Sequence, residues 1–317
     1  MTKTPINDKD TLLAVLELDS DPDNLINRVA WIAQRFGYRA HLVLFEPESG
    51  ALLGGFALSN EAESIRKELQ YAQEEILASY AAKLQEGGID TTTSVLRQRP
   101  LDDGILAIAM AVGARMIVKS TRFHSTAERG ILVDTDWQLM RTSPYPLWFV
   151  KSEHIPEDPV IVAAVDPSNT HDKPAALDRE IVQTANAVAK AMHGDVHLLH
   201  TYERLSGIGK AANREFKPIK LPIDKIDARI KAEHRKALDA LAADCGIDAE
   251  HTHQLPGRTH EILPAFSRTH NAGLVVMGAL ARWGISRMLI GSTAERVIDH
   301  LPCDVLIVRL SEYQLWD

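Results

Sequence analysis

The sequence predicts an α/β protein in which one strand-and-helix unit is written twice. Two observations carry this. Short apolar runs rich in β-branched residues alternate with amphipathic stretches, the pattern of parallel strands joined by helical crossovers. The alternation then restarts after residue 159, and the second copy follows the first at a fixed offset. Gly88 aligns with Gly246, Ser120 with Gly278, Thr135 with Thr293, Pro144 with Pro302 and Lys151 with Arg309. The offset is constant (246 − 88 = 158; 309 − 151 = 158), so this stretch aligns without a gap. His41 aligns with His197 at 156 and the first strands align near 147, which puts the insertions in loops. The chain reads as a tandem repeat.

In the first copy the strands are Leu12–Leu16, His41–Phe45, Thr92–Leu96, Met116–Val118 and Leu147–Val150. Helices are expected over Leu25–Phe36, Ala62–Gln85, Asp103–Val112 and Trp137–Arg141. A polar segment carrying Pro156 and Pro159 follows Lys151 and reads as a linker. The expected boundaries are residues 1–151, a linker over 152–159 and a second domain over 160–317.

A chain of 317 residues fits two domains, and 45% apolar with 25% charged residues is ordinary globular composition. The net charge of −8 argues against nucleic acid as the main partner, since phosphate backbones need a basic face. Cys245 and Cys303 are far apart and form no disulfide framework, which fits a reducing compartment. The first residues, MTKTPINDKD, lack an apolar signal core, and no run reaches membrane-spanning length. A cytoplasmic location without membrane attachment is the expectation.

The most informative stretch is Met277 to His300. The run Leu274–Met277 reads as a buried strand, which ends at Gly278. Gly291-Ser292-Thr293 then opens a helix whose Ala294, Val297, Ile298 and Leu301 share one face. Strand, glycine loop and hydroxyl residue at a helix start is a physical recipe for holding phosphate. Free backbone N–H groups and the helix dipole attract the anion, and glycine lets it approach.

This spacing resembles the nucleotide loop of the universal stress protein family: Gly, two residues, Gly, nine residues, Gly, then Ser or Thr. Gly278, Gly291 and Ser292 match, while Ala281 stands where the family has its second glycine. Thr135-Asp136-Trp137, Glu295–His300 and the terminal strand Asp304–Arg309 resemble the tandem members of that family, and the resemblance covers nearly the whole chain. It implies two doubly wound domains, each with a five-stranded parallel sheet and its ligand at the carboxyl ends of the strands. It implies ATP, or AMP or ADP, as the ligand. Asp166 would contact the adenine, with Ala164 standing where the family has a proline and Thr201 at the base-lining position. Met277, Gly278, Ala281, Gly291, Ser292 and Thr293 complete the expected site. The resemblance also implies pairing of the two domains through Leu147–Val150 and Val305–Val308, and is compatible with a homodimer.

The aligned halves differ at this loop. Ser120, Phe123, Val133 and Asp134 stand where the second half has Gly278, Ala281, Gly291 and Ser292. Val133 resists backbone angles open to glycine, and Asp134 would repel phosphate, though it can serve as a helix N-cap. Nucleotide is therefore expected only in the second half. The first-half counterpart of Asp166 is either Glu17 or Asp19.

Three further features have plainer readings. Arg204–Lys231 reads as a basic loop with eight Lys/Arg against three acids, either a phosphate-screening lid or a solvated surface. Ten of the thirteen histidines lie in the second half, and His251 and His253 alternate on an expected strand. Surface histidines are the expectation there, rather than a metal site. Ser292, Asp299 and His300 lack a nucleophile elbow, so no catalytic triad is expected. No general base presents itself, so turnover is not expected beyond slow ATP hydrolysis. Two rival readings remain: a nucleotide-independent interaction protein with structural or apolar-ligand pockets, and a flavin-type electron carrier supported by fold analogy alone.

Overall fold

The computed structural model describes residues 10–17, 22–45, 60–96, 100–121, 135–168, 175–204, 223–279 and 297–310. These residues form two units, divided at Val150 and Lys151 apart from short stretches between 123 and 144.

The first unit runs β1 (Thr11–Leu16), α1 (Pro22–Phe36), β2 (Arg39–Phe45), α2 (Asn60–Glu86), β3 (Thr91–Leu96), α3 (Leu101–Ala111), β4 (Ala114–Ser120), α4 (Thr135–Thr142) and β5 (Leu147–Val150). Its strands pair in parallel in the order β3-β2-β1-β4-β5. The second unit runs β6 (Val160–Ala164), α5 (Ala175–Met192), β7 (Asp195–Tyr202), α6 (Ile223–Cys245), β8 (Thr252–Pro256), α7 (Thr259–Thr269), β9 (Ala272–Gly278) and β10 (Asp304–Val308). Its parallel order, β8-β7-β6-β9-β10, repeats the first. Each sheet is doubly wound: the chain moves outward from its central strand on one side, then returns to the other.

Burial explains the order. Strands β1 and β4, and β9 and β10, are almost continuously buried, as parallel strands covered on both faces must be. Helix α1 buries Leu25, Ile26, Val29, Ile32 and Ala33, a stripe at helical spacing. In α5 the stripe is Ile181, Val182, Ala185, Val188 and Ala189, each 156 residues later (181 − 25 = 156; 189 − 33 = 156). Each fully buried leucine or isoleucine contributes roughly 1.5–3 kcal/mol.

Backbone conformation repeats as faithfully as the packing. Left-handed residues occur at Gly37 (φ 72), Gly88 (φ 79) and Gly113 (φ 63) after helices of the first unit. Their counterparts are His193 (φ 55), Gly246 (φ 70) and Asn271 (φ 48). Helices commonly end in this conformation, which glycine takes without strain. The second unit therefore tolerates two side chains where the first has none.

The expected linker is ordered against the second unit. The carbonyl of Pro159 accepts the N–H of Asp195 at 3.1 Å. A Cβ on Gly194 would lie 2.1 Å from that carbonyl oxygen, and one on Gly273 would lie 2.7 Å from Pro159 Cβ. The backbone N–H groups of Lys151 and Ser152 donate to the buried Asp304 carboxylate at 2.9 and 3.1 Å. Lys151 Nζ donates to the carbonyls of Ile298 and Asp299. Burial holds this amine down at about 8.

Two expectations need correction. The supposed loop Arg204–Lys231 enters α6 at Ile223, so Lys225, Arg229 and Lys231 are helical; Arg229 pairs with Glu233 one turn on, at 2.8 Å. His251 closes a 3₁₀ turn over Ala249–His251 and only His253 lies on the strand, because Asp248–His251 must turn the chain into β8. Among the described residues, no helix is long and apolar enough to cross a membrane.

Candidate functional site

In a doubly wound sheet the ligand crevice opens where the winding reverses, at the carboxyl ends of the central strands. In the second unit this lies between β6 and β9, where Ala164 pairs with Met277. Asp166 lies two residues beyond the end of β6, and Gly278 ends β9. Thr201 sits near the end of β7, next to β6 on the other side. The fold thus gathers Ala164, Asp166, Thr201, Met277 and Gly278 along one edge. Ala281, Gly291, Ser292 and Thr293 lie outside the described residues.

Asp166 is held from three sides. Its backbone N–H donates to Asp178 Oδ1 at 3.0 Å, which ties the end of β6 to the start of α5. The Ser168 hydroxyl donates to Asp166 Oδ1 at 2.6 Å. His200 Nδ1 lies 3.8 Å from the same oxygen, and the Asp166 side chain keeps 26% of its surface exposed. A carboxylate fixed this way and still open to solvent can accept a hydrogen bond from an amine.

His200 was not singled out by its sequence position, since alternation puts it on the face opposite Thr201. Its Nδ1 lies 3.1 Å from the Val165 carbonyl, which can only accept, so Nδ1 carries the proton. Its Nε2 faces His234 Nδ1 at 2.8 Å, so in neutral His200 this nitrogen accepts and His234 donates. Burial, more than any neighbour, pushes His200 below the usual histidine range. Thr201 Oγ1 bonds Thr259 Oγ1 at 2.6 Å, joining β7 to the first residue of α7.

Gly278 has a packing reason as well as a suspected binding one. A Cβ there would meet Leu177 Cδ2 at 2.8 Å and Ile181 Cδ1 at 3.2 Å, so the glycine lets α5 press on β9.

The first unit shows what has become of the same edge. Leu12 pairs with Met116 and Ile161 with Leu274. The strand offset is therefore 149 (161 − 12 = 149), not near 147, and Glu17 is the counterpart of Asp166. Lys119 stands where the second unit has Met277 (277 − 119 = 158), and Asp136 where it has Ala294 (294 − 136 = 158). Lys119 Nζ lies 2.9 Å from Glu17 Oε2 and 2.6 Å from Asp136 Oδ1. The Thr121 hydroxyl donates to Asp136 Oδ2 at 2.7 Å. Burial alone would lower the Lys119 amine, but Asp136 and Glu17 outweigh it and hold the amine above the usual lysine range. A triad of charges thus occupies this edge of the first unit, with Lys119 and Asp136 almost wholly buried and Glu17 26% exposed.

Among the described residues, no three His, Cys, Asp or Glu side chains are arranged to hold a metal ion.

The family model described as "Universal stress protein family" matches residues 10–151 and again 159–309. The chain belongs to the universal stress protein family. It is a tandem member, with two copies of the family unit. It is 28% identical over 309 residues to "Universal stress protein E" of Escherichia coli (strain K12), covering 96% of this chain and 95% of that protein. It is 29% identical over 205 residues to "Universal stress protein E homolog" of Haemophilus influenzae, covering 62% of each chain. The crystal structure of a putative universal stress protein from Pseudomonas aeruginosa UCBPP-PA14 superposes with a TM-score of 0.69 at 24% identity, covering 95% of this chain and 94% of that one. A universal stress protein from Archaeoglobus fulgidus DSM 4304 gives 0.66 at 17% identity, covering 96% and 98%. Such likeness to solved structures shows the shared doubly wound fold.

Proposed function

We propose that the second unit binds one adenine nucleotide, ATP or its mono- or diphosphate, and that the first unit is a partner that does not. The reading rests above all on the contrast at aligned positions. Where the second unit carries Asp166, Met277 and Ala294, the first carries Glu17, Lys119 and Asp136 locked in an ion triad. A neutral base amine competes poorly with an ammonium for the same carboxylate. Glu17 is paired with Lys119, whereas Met277 stands at the Lys119 position in the unit of Asp166.

In this reading Asp166 accepts from the base amine, with Ala164, Thr201 and Met277 beside the base and Gly278 letting the backbone approach. Ala281, Gly291, Ser292 and Thr293 hold the phosphates. Ala281 weakens the site without closing it, since alanine is strained by roughly 1–2 kcal/mol only where φ is positive. The role is regulatory or protective, in the cytoplasm, where free Cys245 and buried Cys303 stay reduced. Pairing of the units through Leu147–Val150 and Val305–Val308 belongs to the same proposal, and each half made alone would self-associate.

One observation favours the rival reading of a nucleotide-independent interaction protein: Leu177 already gives Gly278 a structural purpose. Heating the purified chain, then reading the released small molecules by absorbance and mass, separates the two. An adenine nucleotide in the supernatant supports binding. Its absence, together with no uptake from millimolar ATP, supports the rival.

A further inference from the structure

The second unit carries a histidine cluster that the nucleotide reading does not use, built around the one histidine common to both units. In the first unit His41 on β2 pairs with Thr92 on β3. Its two ring nitrogens meet Thr92 Oγ1 and Ser94 Oγ, each at 2.8 Å. In the second unit Leu198 pairs with Thr252, so His197 faces His251 one residue back, with His253 two further along β8. His270 ends α7 where Val112 ends α3, and Phe266 replaces Ile108 (270 − 112 = 158; 266 − 108 = 158). Around a shared histidine, two hydroxyls and a valine have become three imidazoles.

Geometry makes these rings one cluster. His197 stacks on His251 with centroids 4.6 Å apart and on His253 at 5.0 Å. It meets His270 edge-on at 5.5 Å. Phe266 stacks on His270 at 3.9 Å and closes the cluster from α7. His253 Nε2 faces His197 Nδ1 at 3.1 Å, so one proton serves the two nitrogens.

The chemical consequence differs between the units. A hydroxyl can donate or accept, so His41 can gain a proton and keep both of its bonds. His197 and His253 cannot both be protonated, because two N–H groups would then face each other. Stacked imidazoles also repel once charged.

We propose that His197, His251, His253 and His270 form a proton sensor, which closes the amino ends of β7 and β8 against α7 at neutral pH and opens them in mild acid. The charged groups around the cluster are few. Asp195 on β7 favours the protonated state, whereas Arg235 on α6, paired with Asp239 at 2.7 Å, opposes it. Burial and then the neighbouring histidines push His197 down from 6.5 to about 4, and His253 is also lowered. A group lowered on folding gives stability that is complete above its unfolded value and lost as pH falls toward its folded value. The window is therefore pH 6.5 down to about 4. The proposal does not depend on nucleotide binding.

The test uses the full chain at pH 7.5 and pH 5, with amide exchange corrected for its intrinsic pH dependence. Full burial of His197 would accelerate local opening roughly thirtyfold at pH 5, and its part exposure reduces this to roughly tenfold. That acceleration is expected to be larger in β7 and β8 than in β2 and β3, where burial alone lowers His41. In His251→Thr, His253→Ser, His270→Val, which copies the first unit, it falls to the level of β2 and β3, because burial remains and the neighbouring imidazoles are gone. Equal exchange at the two pH values, or equal acceleration in the triple variant, overturns the proposal. Should the variant not fold, nuclear magnetic resonance titration of the parent imidazoles decides: His197 titrating at or above 6.5 overturns it. Saturable micromolar Ni²⁺ uptake at pH 7.5, abolished by the same substitutions, also overturns it by making the cluster a metal site.

Discussion

Lys119 Nζ stands 2.6 Å from Asp136 Oδ1, with both side chains almost wholly buried, at the edge where the second unit has Met277 and Ala294. Together with Glu17, whose side chain is 26% exposed, this pair sets three charged groups at that edge of the first unit. Removing one member strands the others. Lys119→Met takes from Glu17 and Asp136 the cation they share and should cost about 3–5 kcal/mol. Adding Glu17→Gln and Asp136→Ala should recover much of that loss. Urea unfolding of the full chain checks both, and a single variant as stable as the parent would contradict the account.

The same pair sets a pH dependence. The Lys119 amine is raised on folding, so its contribution is complete below the free-lysine value of 10.5 and is lost only as pH climbs past it. Alkaline titration of stability should show the parent declining above that point more steeply than the triple variant.

Two glycines separate packing from binding. A Cβ at Gly194 would sit 2.1 Å from the Pro159 carbonyl oxygen, a backbone atom that cannot yield cheaply. Gly194→Ala should destabilise the second unit by about 3 kcal/mol. At Gly278 the obstacle is the tip of Leu177, and Gly278→Ala should cost nearer 1 kcal/mol. Thermal unfolding ranks the two; the opposite order would mean that α5 packs on β9 more rigidly than its contacts indicate.

His193 and Asn271 hold left-handed backbone where the first unit has Gly37 and Gly113. His193→Gly and Asn271→Gly relieve that strain, which outweighs the extra unfolded-state entropy by up to about 1 kcal/mol each. A rise in the urea midpoint is expected for both. The penalty is larger for His193, because asparagine visits this region more readily.

Much of the fold was legible because two periodicities coincide. Apolar runs marked the strands, and the 158-residue offset carried the helix ends and glycine turns from one unit to the other. Legibility failed where loops of different length intervene. The choice between Glu17 and Asp19 needed the pairing of Leu12 with Met116, which sequence spacing cannot supply. The ion triad escaped notice because its members lie far apart in the chain. Yet the offset held a clue, since Lys119 and Asp136 align with apolar residues. The histidine cluster escaped for a similar reason: alternation placed His251 and His253 on one face but said nothing of His197 on the neighbouring strand. The beginning of α6 was misjudged because charged residues are as much at home on a solvated helix face as in a loop.

The central claim is one nucleotide per chain, held by the second unit, and calorimetric titration of the nucleotide-free full chain with ATP tests it most directly. The account predicts a single site, tightened less than about tenfold by Ala281→Gly. The site should be lost in Gly291→Val, which copies Val133 of the first unit, and kept in the Glu17, Lys119 and Asp136 triple variant. Two equivalent sites, or a Gly291→Val variant that binds as well as the parent, would contradict it.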